Sequence, residues 1–287
     1  MNNHYIIYKD EFPTLLKEIN DPPEKLNVIG KLPNKGSKIL CIVGSRRHSR
    51  YGEEACRKLI AGLKNYNICI VSGMALGIDT IAHKSAIENN LQTIAFPGSG
   101  LNKEIIYPYQ NKKLAEEIIN SGGALISEFE MNQSGALWTF PKRNRLMAGI
   151  SHAVLIVEAE LISGTLITSR LATEYNRDVG AVPGQIFSSL SAGPNMLISK
   201  GAKTIISSED VLEMLGLNIK EEVNQKNLFE NITDEEKRII KLLEIEQYTG
   251  EELISKTDLS IRNFNQIISS LEIKDLIEEN NNGFKLK

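Results

Sequence analysis

The sequence predicts an α/β protein built on an extended Rossmann-like, doubly wound and mainly parallel sheet, with a small C-terminal winged-helix domain. From Lys38 onward, short apolar runs alternate with amphipathic stretches, and the first three runs each lead into a glycine. This alternation is typical of βα units in a parallel sheet. The length of 287 residues suffices for a core domain and a smaller one.

Apolar runs predict six strands of the core sheet, and the stretches between them predict helices. The strands are expected at residues 39–43, 68–71, 93–96, 124–127, 153–157 and 178–182. The helices are expected at residues 51–63, 78–88, 111–119 and 165–175. In such a sheet, ligands bind in the crevice outside the carboxyl ends of the strands. We therefore expect functional residues in the turns that follow the strands.

The two ends of the chain predict a lead-in, a linker and a second domain. Residues 1–36 are too few for a separate domain, so we expect them to pack on the Rossmann-like domain at 37–217. The polar stretch 218–227 predicts a linker. Residues 228–287 have the pattern of a winged helix, with three short helices and a hairpin. From Asn231 onward, eight Lys or Arg stand against twelve Asp or Glu, which argues against DNA as the partner of this domain.

Composition and charge exclude several classes of protein. No apolar run approaches the roughly 18 residues of a membrane span, and the chain start lacks a signal-peptide pattern, so we expect a cytoplasmic protein without membrane contact. The three cysteines form no CxxC pair and the four histidines lack zinc-site spacing, so we expect no metal and no cofactor. With a net charge of −3, any nucleic-acid binding must depend on a local cluster of cations.

The first βα turn carries a strong signal for binding an anion. It contains Gly44, Ser45, Arg46 and Arg47 and leads into a predicted helix. Glycine lets a ligand approach the backbone, and the hydroxyl and the helix-start amides can donate to phosphate oxygens. The arginines add positive charge. A tight turn with solvated arginines is the alternative explanation.

The second turn repeats this pattern with Ser72, Gly73 and Gly77. Its small residues join an apolar strand to a helix, as expected for another phosphate-binding turn. Asp79 is different, because a carboxylate would repel a bound phosphate, and it is better explained as a helix cap. We interpret His83, one helical turn further on, as a packed helix residue rather than a catalytic one.

The third turn adds small residues, a cation and aromatic rings at the same edge of the sheet. Gly98 follows the third predicted strand, Lys103 lies a few residues on, and Tyr107 and Tyr109 flank a proline. Aromatic rings near cations suit the stacking of single-strand bases. The Tyr-Pro-Tyr segment also fits an ordinary loop anchor, and both interpretations stay open.

The densest cationic cluster consists of three cations and an amide, Lys142, Arg143, Asn144 and Arg145, and it precedes an apolar helical stretch at residues 146–150. Guanidinium groups bind phosphate in a planar, two-pronged way that lysine cannot copy. The two arginines are therefore strong candidates for phosphate contacts. Structural ion pairing is the alternative explanation for the cluster.

Two further small-residue turns are predicted at this edge. Ser163 and Gly164 open a helix, and Pro183-Gly184 closes a strand. Glu158 ends the strand before Ser163 and could pair with an arginine of the dense cluster. The chain lacks the GxGxxG and GxxxxGK[ST] motifs of dinucleotide and P-loop sites and the Gly-x-Ser-x-Gly elbow of hydrolases. Binding is therefore a more economical function than catalysis.

Taken together, residues 44–46, 72–79, 140–145 and 181–184 closely resemble the DNA-processing protein A family, DprA, also called Smf. The order and spacing of these motifs match over about residues 11–210. The resemblance implies an extended Rossmann fold that binds single-stranded DNA, forms a homodimer and helps load the RecA recombinase onto incoming DNA in natural transformation. Members are regarded as mediators rather than enzymes.

The resemblance also implies roles for particular residues. Arg46 would hold the DNA backbone together with Gly44 and Ser45, and the group at 143–145 would line the same basic pocket. The stretch 185–198 resembles the part of the family associated with dimer and recombinase contacts.

Three features depart from the family pattern. Only about 38 residues precede the first core strand, where many members begin with a helical domain. Tyr109 replaces a lysine that often follows the Tyr-Pro pair, so Lys103, Lys112 or Lys113 would have to supply that charge. The acidic C-terminal tail resembles the C-terminal domain of longer members, and its charge favours contact with a protein.

Two other functions stay open at this point. The scaffold is similar to that of proteins that bind or cleave free nucleotides, such as the nucleoside-monophosphate phosphoribohydrolases, although their Pro-Gly-Gly-x-Gly-Thr signature is absent. A protein-interaction adaptor with an unused pocket is the second alternative. If the chain binds single-stranded DNA through a basic groove, its affinity should depend steeply on salt.

Overall fold

A computed structural model of the chain describes residues 4–217, 233–243, 246–257, 259–273, 276–280 and 283–286. The chain divides into two compact units, Met1–Ile219 and Lys220–Lys287. The predicted linker at 218–227 lies outside the described residues.

The N-terminal unit is a nine-stranded, mainly parallel sheet. Its strands are β1 (His4–Tyr8), β2 (Lys25–Gly30), β3 (Lys38–Val43), β4 (Ile68–Ser72), β5 (Gln92–Ala95), β6 (Ala124–Ser127), β7 (Ala153–Ile156), β8 (Asp178–Ala181) and β9 (Lys203–Thr204). They are ordered β1-β2-β6-β5-β4-β3-β7-β8-β9. The pairs β1/β2 and β2/β6 are antiparallel and the others are parallel. The predicted α/β class with a mainly parallel, Rossmann-like sheet is confirmed.

Helices cover both faces of this sheet. They are α1 (Thr14–Lys17), α2 (Arg50–Ala61), α3 (Ile78–Glu88), α4 (Lys112–Asn120), α5 (Thr139–Ile150), α6 (Gly164–Glu174), α7 (Ser189–Ser199) and α8 (Ser208–Met214). Side chains alternate along a strand, so Ile39, Cys41 and Val43 of β3 enter the core under α5 and α6. Leu40 and Ile42 enter the core under α2, α3 and α8. Burial on both faces explains why the central strands are apolar throughout.

The chain order reverses at β3, which sets the place of a ligand site. From β3 the chain winds through β4, β5 and β6 on one side, and it later adds β7, β8 and β9 on the other. A crevice forms at such a switch point, outside the carboxyl ends of the two strands that diverge. Here those strands are β3 and β7.

The lead-in contributes two strands that the sequence analysis did not predict. Strand β1 pairs with β2, and β2 pairs with β6, which extends the sheet with antiparallel strands. Between them, Leu16 of α1 is fully buried in the core under α5. Gly149 of α5 leaves room for this contact, because a Cβ there would lie 3.2 Å from Leu16 Cδ1.

Helix α5 begins earlier than predicted. The sequence analysis placed the cationic cluster before a helix at 146–150, whereas the helix begins at Thr139 and includes the whole cluster. Pro141 in its first turn is a signal for this start, because proline is well accommodated there and has no amide hydrogen to lose. The cations therefore project from a helix, in different directions.

The C-terminal unit contains α9 (Asp234–Leu243), α10 (Gly250–Thr257), α11 (Ile261–Ile273), β10 (Ile277–Asn280) and β11 (Gly283–Leu286). Strands β10 and β11 form an antiparallel hairpin. Helix α11 buries Phe264, Ile267, Ile268 and Leu271, which share one helical face. The order of elements is the predicted one, and the assignment as a winged helix stays a prediction.

Two findings concern the remaining sequence expectations. All three cysteines are free and buried. Among the described residues, no helix has both the length and the apolar character needed to cross a membrane.

We predict that Leu16→Ala destabilises the N-terminal unit by about 2–5 kcal/mol, because a fully buried leucine is replaced by a cavity. Urea unfolding followed by circular dichroism measures this change. Thr14→Ala, at an exposed position of the same helix, serves as the control and should cost far less. Equal losses for the two variants would contradict the packing of the lead-in on the core.

Candidate nucleic-acid interface

A cleft of about 550 Å³ opens at the switch point between β3 and β7. We call it the switch-point cleft. One wall is the first βα turn, and the opposite wall is the start of α6 together with the loop before it. Eight of the residues predicted from the sequence line it: Gly44, Ser45, Arg46, Arg47, Arg143, Asn144, Ser163 and Gly164.

The first turn presents its two arginines to solvent. The side chains of Arg46 and Arg47 are exposed, and neither forms an ion pair within the described parts of the chain. The Arg46 guanidinium lies 5.6 Å from the centre of the Phe140 ring, a cation–π arrangement. The backbone amide of Arg47 donates to Ser45 Oγ at 3.1 Å. Both positive charges are therefore available to a ligand.

The second turn supports the first one from behind. Gly77 has a φ of +79°, and a Cβ there would lie 2.2 Å from the carbonyl oxygen of Ser45. The amide of Ile78 donates to that same oxygen at 3.2 Å. Gly44 in turn has no room for a side chain, since a Cβ would lie 2.6 Å from Ile78 Cγ1. These glycines are required by close packing between the two turns, and Gly77 does not line the cleft.

The carboxylate of Asp79 occupies the anion position of the second turn. It accepts hydrogen bonds from the amides of Gly73 at 3.1 Å and Ala75 at 3.3 Å. Ser72 is fully buried and donates to the carbonyl of Ile42 at 2.6 Å. The turn predicted to bind a second phosphate thus already holds a carboxyl group of the protein itself.

Arg143 lies at the floor of the cleft and is bound to the protein. Its side chain is 6% exposed, and Nη1 donates to the carbonyl oxygens of Gly73 and Phe96. Burial raises the pKa of Asp79, and the positive charge of Arg143 opposes that rise. Burial lowers the pKa of Arg143, and Asp79 opposes that fall. Arg143 therefore joins the ends of β4 and β5 and balances a buried carboxylate, so its charge is not free for a phosphate.

Arg145 is placed away from the cleft, although the sequence analysis grouped it with Arg143. Residues two apart on an α-helix project about 200° apart, and Arg145 faces the lead-in. Its Nε lies 3.1 Å from Asp21 Oδ2, and its Nη2 lies 2.6 Å from Glu128 Oε2. This placement gives no support to its predicted contact with DNA.

The other two residues of the cationic cluster differ in position. Lys142 is exposed and does not line the cleft. Asn144 lines it, and its Nδ2 donates to the carbonyl of Gly164 at 3.4 Å. The alternative explanation of the cluster, structural ion pairing, applies to Arg145.

Glu158 occupies the N-terminus of α2. It accepts hydrogen bonds from the amide of Ser49 at 2.9 Å and from the Ser49 hydroxyl. Gly52 has no space for a side chain, because a Cβ would lie 2.3 Å from Glu158 Oε2. Glu158 is thus bound to Ser49 rather than to an arginine. A carboxylate fills the place where helix-start amides bind phosphate in many Rossmann folds.

The start of α6 leaves its anion position open. Ser163 Oγ accepts from the amide of Thr165 at 3.2 Å, and Thr165 Oγ1 donates to the carbonyl of Gly44 at 3.2 Å. These bonds tie α6 to the first turn. A Cβ at Gly164 would meet no atom within 4 Å. The space next to this glycine is therefore free for a ligand.

The third predicted turn supports an aromatic wall beside the cleft. Gly98 has a φ of +72°, and a Cβ there would lie 3.0 Å from the Phe140 ring. The rings of Phe140 and Tyr107 have centres 6.2 Å apart and line a small adjoining cavity. Lys103 is not part of this wall, since it pairs with Glu116 in a separate groove.

The cleft also contains residues that the sequence analysis did not single out. Leu137, Ile162 and Glu160 also line the cleft. These loop positions have no local pattern that distinguishes them from ordinary surface residues. Within the described ranges, no group of three or more His, Cys, Asp or Glu side chains could hold a metal ion.

The fold and this cleft define an α/β protein of the doubly wound class with an arginine-lined cleft at the switch point of its sheet. A model of the family described as DNA recombination-mediator protein A matches residues 3–216. The chain belongs to this family, and the predicted resemblance to DprA/Smf is confirmed.

Curated relatives match the same part of the chain. Protein Smf of Escherichia coli is 42% identical over 215 residues, which are 74% of this chain and 57% of that protein. The DNA processing protein DprA of Streptococcus pneumoniae is 41% identical over 208 residues, which are 72% of each chain. The match thus spans little more than half of the Escherichia coli protein.

Two solved structures share the fold. DprA from Streptococcus pneumoniae has a TM-score of 0.69 at 38% identity, over 76% of this chain and 75% of that one. DNA processing protein A from Helicobacter pylori has a TM-score of 0.65 at 30% identity, over 75% of this chain and 98% of that one. The latter structure concerns the single-stranded DNA binding mode of that protein.

His83 lies behind the cleft, fully buried, with Nδ1 2.7 Å from Thr93 Oγ1. Burial, aided by the nearby charge of Arg143, lowers the pKa of His83 to about 3. The interpretation of His83 as a packed residue agrees with this environment, because an imidazole that stays neutral near pH 7 adds no charge to the cleft.

We predict that His83 makes the protein less stable as the pH falls. The unfolded chain protonates this histidine below about pH 6.5, while the folded chain does not until about pH 3. The unfolded state therefore binds one more proton in this window, which lowers the free energy of unfolding by about 2 kcal/mol between pH 7 and pH 5. Urea unfolding of the wild type and His83→Gln at both pH values measures this, and an unchanged pH dependence in the variant would contradict it.

Proposed function

We propose that the chain binds single-stranded DNA in the switch-point cleft and acts as a recombination mediator. One observation carries the proposal. Arg46 and Arg47 are exposed and face the open start of α6 across the cleft, whereas Asp79 and Glu158 fill the neighbouring anion positions. The cleft thus combines exposed positive charge with open space beside the start of α6.

The surroundings of Arg46 favour a nucleic-acid strand over a simple anion. Phe140 and Tyr107 lie beside this guanidinium, and single-strand binding sites combine cations with aromatic rings on which bases stack. The Helicobacter pylori relative is described by its single-stranded DNA binding mode, which supports the same ligand here.

The function proposed for the whole protein follows the family. In the cytoplasm, the chain would protect incoming single strands as a homodimer and help load the RecA recombinase in natural transformation. Exposed Ile186 and Phe187 support a protein contact in the stretch 185–198, since they are 82% and 94% exposed. The C-terminal unit, proposed as an acidic winged helix, would contact a protein rather than DNA.

We propose that the protein works by binding and not by catalysis. Asp79, the buried carboxylate at the floor of the cleft, accepts from two backbone amides and faces Arg143. These contacts hold the carboxyl group as part of the second turn, where it serves the fold rather than a substrate.

We predict that Arg46→Ala weakens binding of a single-stranded oligonucleotide about tenfold, or ~1.4 kcal/mol. Fluorescence anisotropy with single-stranded and duplex forms of one sequence measures this, and the single strand should bind more tightly. The slope of log affinity against log salt should fall by about 0.7 for each lost phosphate contact. Arg50→Ala is the control, because Arg50 is exposed, pairs with Glu54 at 2.7 Å and does not line the cleft.

Two outcomes distinguish an error in the proposed function from an error in the proposed site. If neither oligonucleotide binds, the proposed function fails. If single strands bind equally well to the wild type and to Arg46→Ala, the function stands and the site lies elsewhere.

We predict that Gly164→Ala weakens single-strand binding several-fold without loss of stability. The added methyl group meets no protein atom within 4 Å, and alanine favours a helix over glycine by up to about 1 kcal/mol, so the folded protein should not lose stability. The methyl group would occupy space that only a bound ligand uses, and binding should therefore weaken. Gly250→Ala is a matched control, since Gly250 begins α10 as Gly164 begins α6. Unchanged DNA affinity in Gly164→Ala would show that the strand does not approach the start of α6.

A further inference from the structure

The charges in the switch-point cleft can be counted from its lining. Five charged residues line it: Arg46, Arg47, Asp79, Arg143 and Glu160. Asp79 and Arg143 are both buried at the floor of the cleft, and Arg143 is bound to the carbonyls of Gly73 and Phe96. The exposed charges are the two arginines and the single carboxylate of Glu160. These exposed charges sum to about one positive unit.

Glu160 is an unusual residue for the wall of an anion site. It lies in the loop between β7 and α6, three residues before Ser163, and its side chain is exposed. In the described part of the chain it forms no ion pair, and neither does Arg46 or Arg47. Its charge is thus not neutralised by the protein and acts on whatever enters the cleft.

We propose that Glu160 biases the cleft toward internal phosphodiester groups and against terminal phosphate monoesters. This inference rests on the proposed binding of DNA. A phosphodiester carries one negative charge, and a terminal monoester carries close to two at neutral pH. The carboxylate of Glu160 repels the second charge and offsets part of its attraction to Arg46 and Arg47. Arg143 does not compensate, because its guanidinium is already bound to the carbonyls of Gly73 and Phe96.

The size of this discrimination follows from Coulomb's law. One added charge, at about 5–10 Å from a carboxylate in a largely solvated site, changes affinity by roughly three- to tenfold. This change in affinity is modest, and it applies whenever a strand end or a free nucleotide binds in the cleft. The charge of Glu160 consequently lowers the affinity of a 5′-phosphorylated end or a mononucleotide relative to the interior of a strand.

The experiment compares two small competitors against a labelled single-stranded oligonucleotide bound to the full-length protein. One is TpT, which has a single phosphodiester and no terminal phosphate. The other is pT, thymidine 5′-monophosphate, which has a single monoester. Inhibition constants are measured by anisotropy at matched ionic strength and pH 7.5. The ratio of the pT inhibition constant to the TpT inhibition constant measures selectivity. A loss of affinity that affects both competitors equally leaves this ratio unchanged.

In Glu160→Gln, which keeps the shape of the side chain and removes its charge, this ratio should fall by roughly three- to tenfold relative to the wild type. Glu160→Lys should lower it further. Glu209→Gln is the matched control, since Glu209 lies in the first turn of α8 and does not line the cleft, and it should leave the ratio unchanged.

Several results would overturn the inference. An unchanged ratio in Glu160→Gln would do so, provided that the labelled oligonucleotide binds in an Arg46-dependent way, and the proposed function would then still stand. Failure of TpT to compete at any concentration would show that the cleft does not hold a single phosphodiester. Release of thymine from pT would show that Glu160 belongs to a hydrolytic site. Failure of the labelled oligonucleotide itself to bind would instead remove the proposed function.

Discussion

The geometry of the site depends on the contact between the first two glycine turns. The carbonyl of Ser45 accepts from the amide of Ile78, and Gly77 allows the two backbones to approach each other. This contact fixes the first turn from behind, while Thr165 ties it to α6 from the front. Because the backbone is held on both sides, Arg46 and Arg47 begin from a defined position, and less conformational entropy is lost when they bind a ligand.

Internal carboxylates explain why turns of similar sequence have different roles. Asp79 fills the second turn and Glu158 fills the start of α2, so the protein satisfies the amides that a phosphate would otherwise use. Buried backbone amides need a hydrogen-bond acceptor, and the chain supplies one at each place where no ligand is to bind. A glycine-rich turn therefore identifies a possible anion site. The site is open only where no carboxylate of the protein already accepts hydrogen bonds from its amides.

Much of the fold was predictable, because strands β3 to β7 are buried along nearly their whole length and therefore appear as apolar runs in the sequence. Strands β1 and β2 were not predicted, because the position of β2 depends on its pairing with β6, which is distant in sequence, and β1 pairs with β2. The first turn and the start of α6 were predicted to lie at the same edge of the sheet, and both line the switch-point cleft. The different directions of Arg143 and Arg145 were missed, because they follow from where α5 begins. Glu160 lies in a loop, where sequence carries no periodic signal.

Helix α5 contacts both the floor of the cleft and the lead-in. One of its side chains, Arg143, holds the strand ends under the cleft, and another, Arg145, is clamped by Asp21 of the lead-in and Glu128. The helix is thus held on two sides, by the strand ends and by the lead-in. The position of Arg143 under the cleft therefore depends in part on residues that never face the cleft.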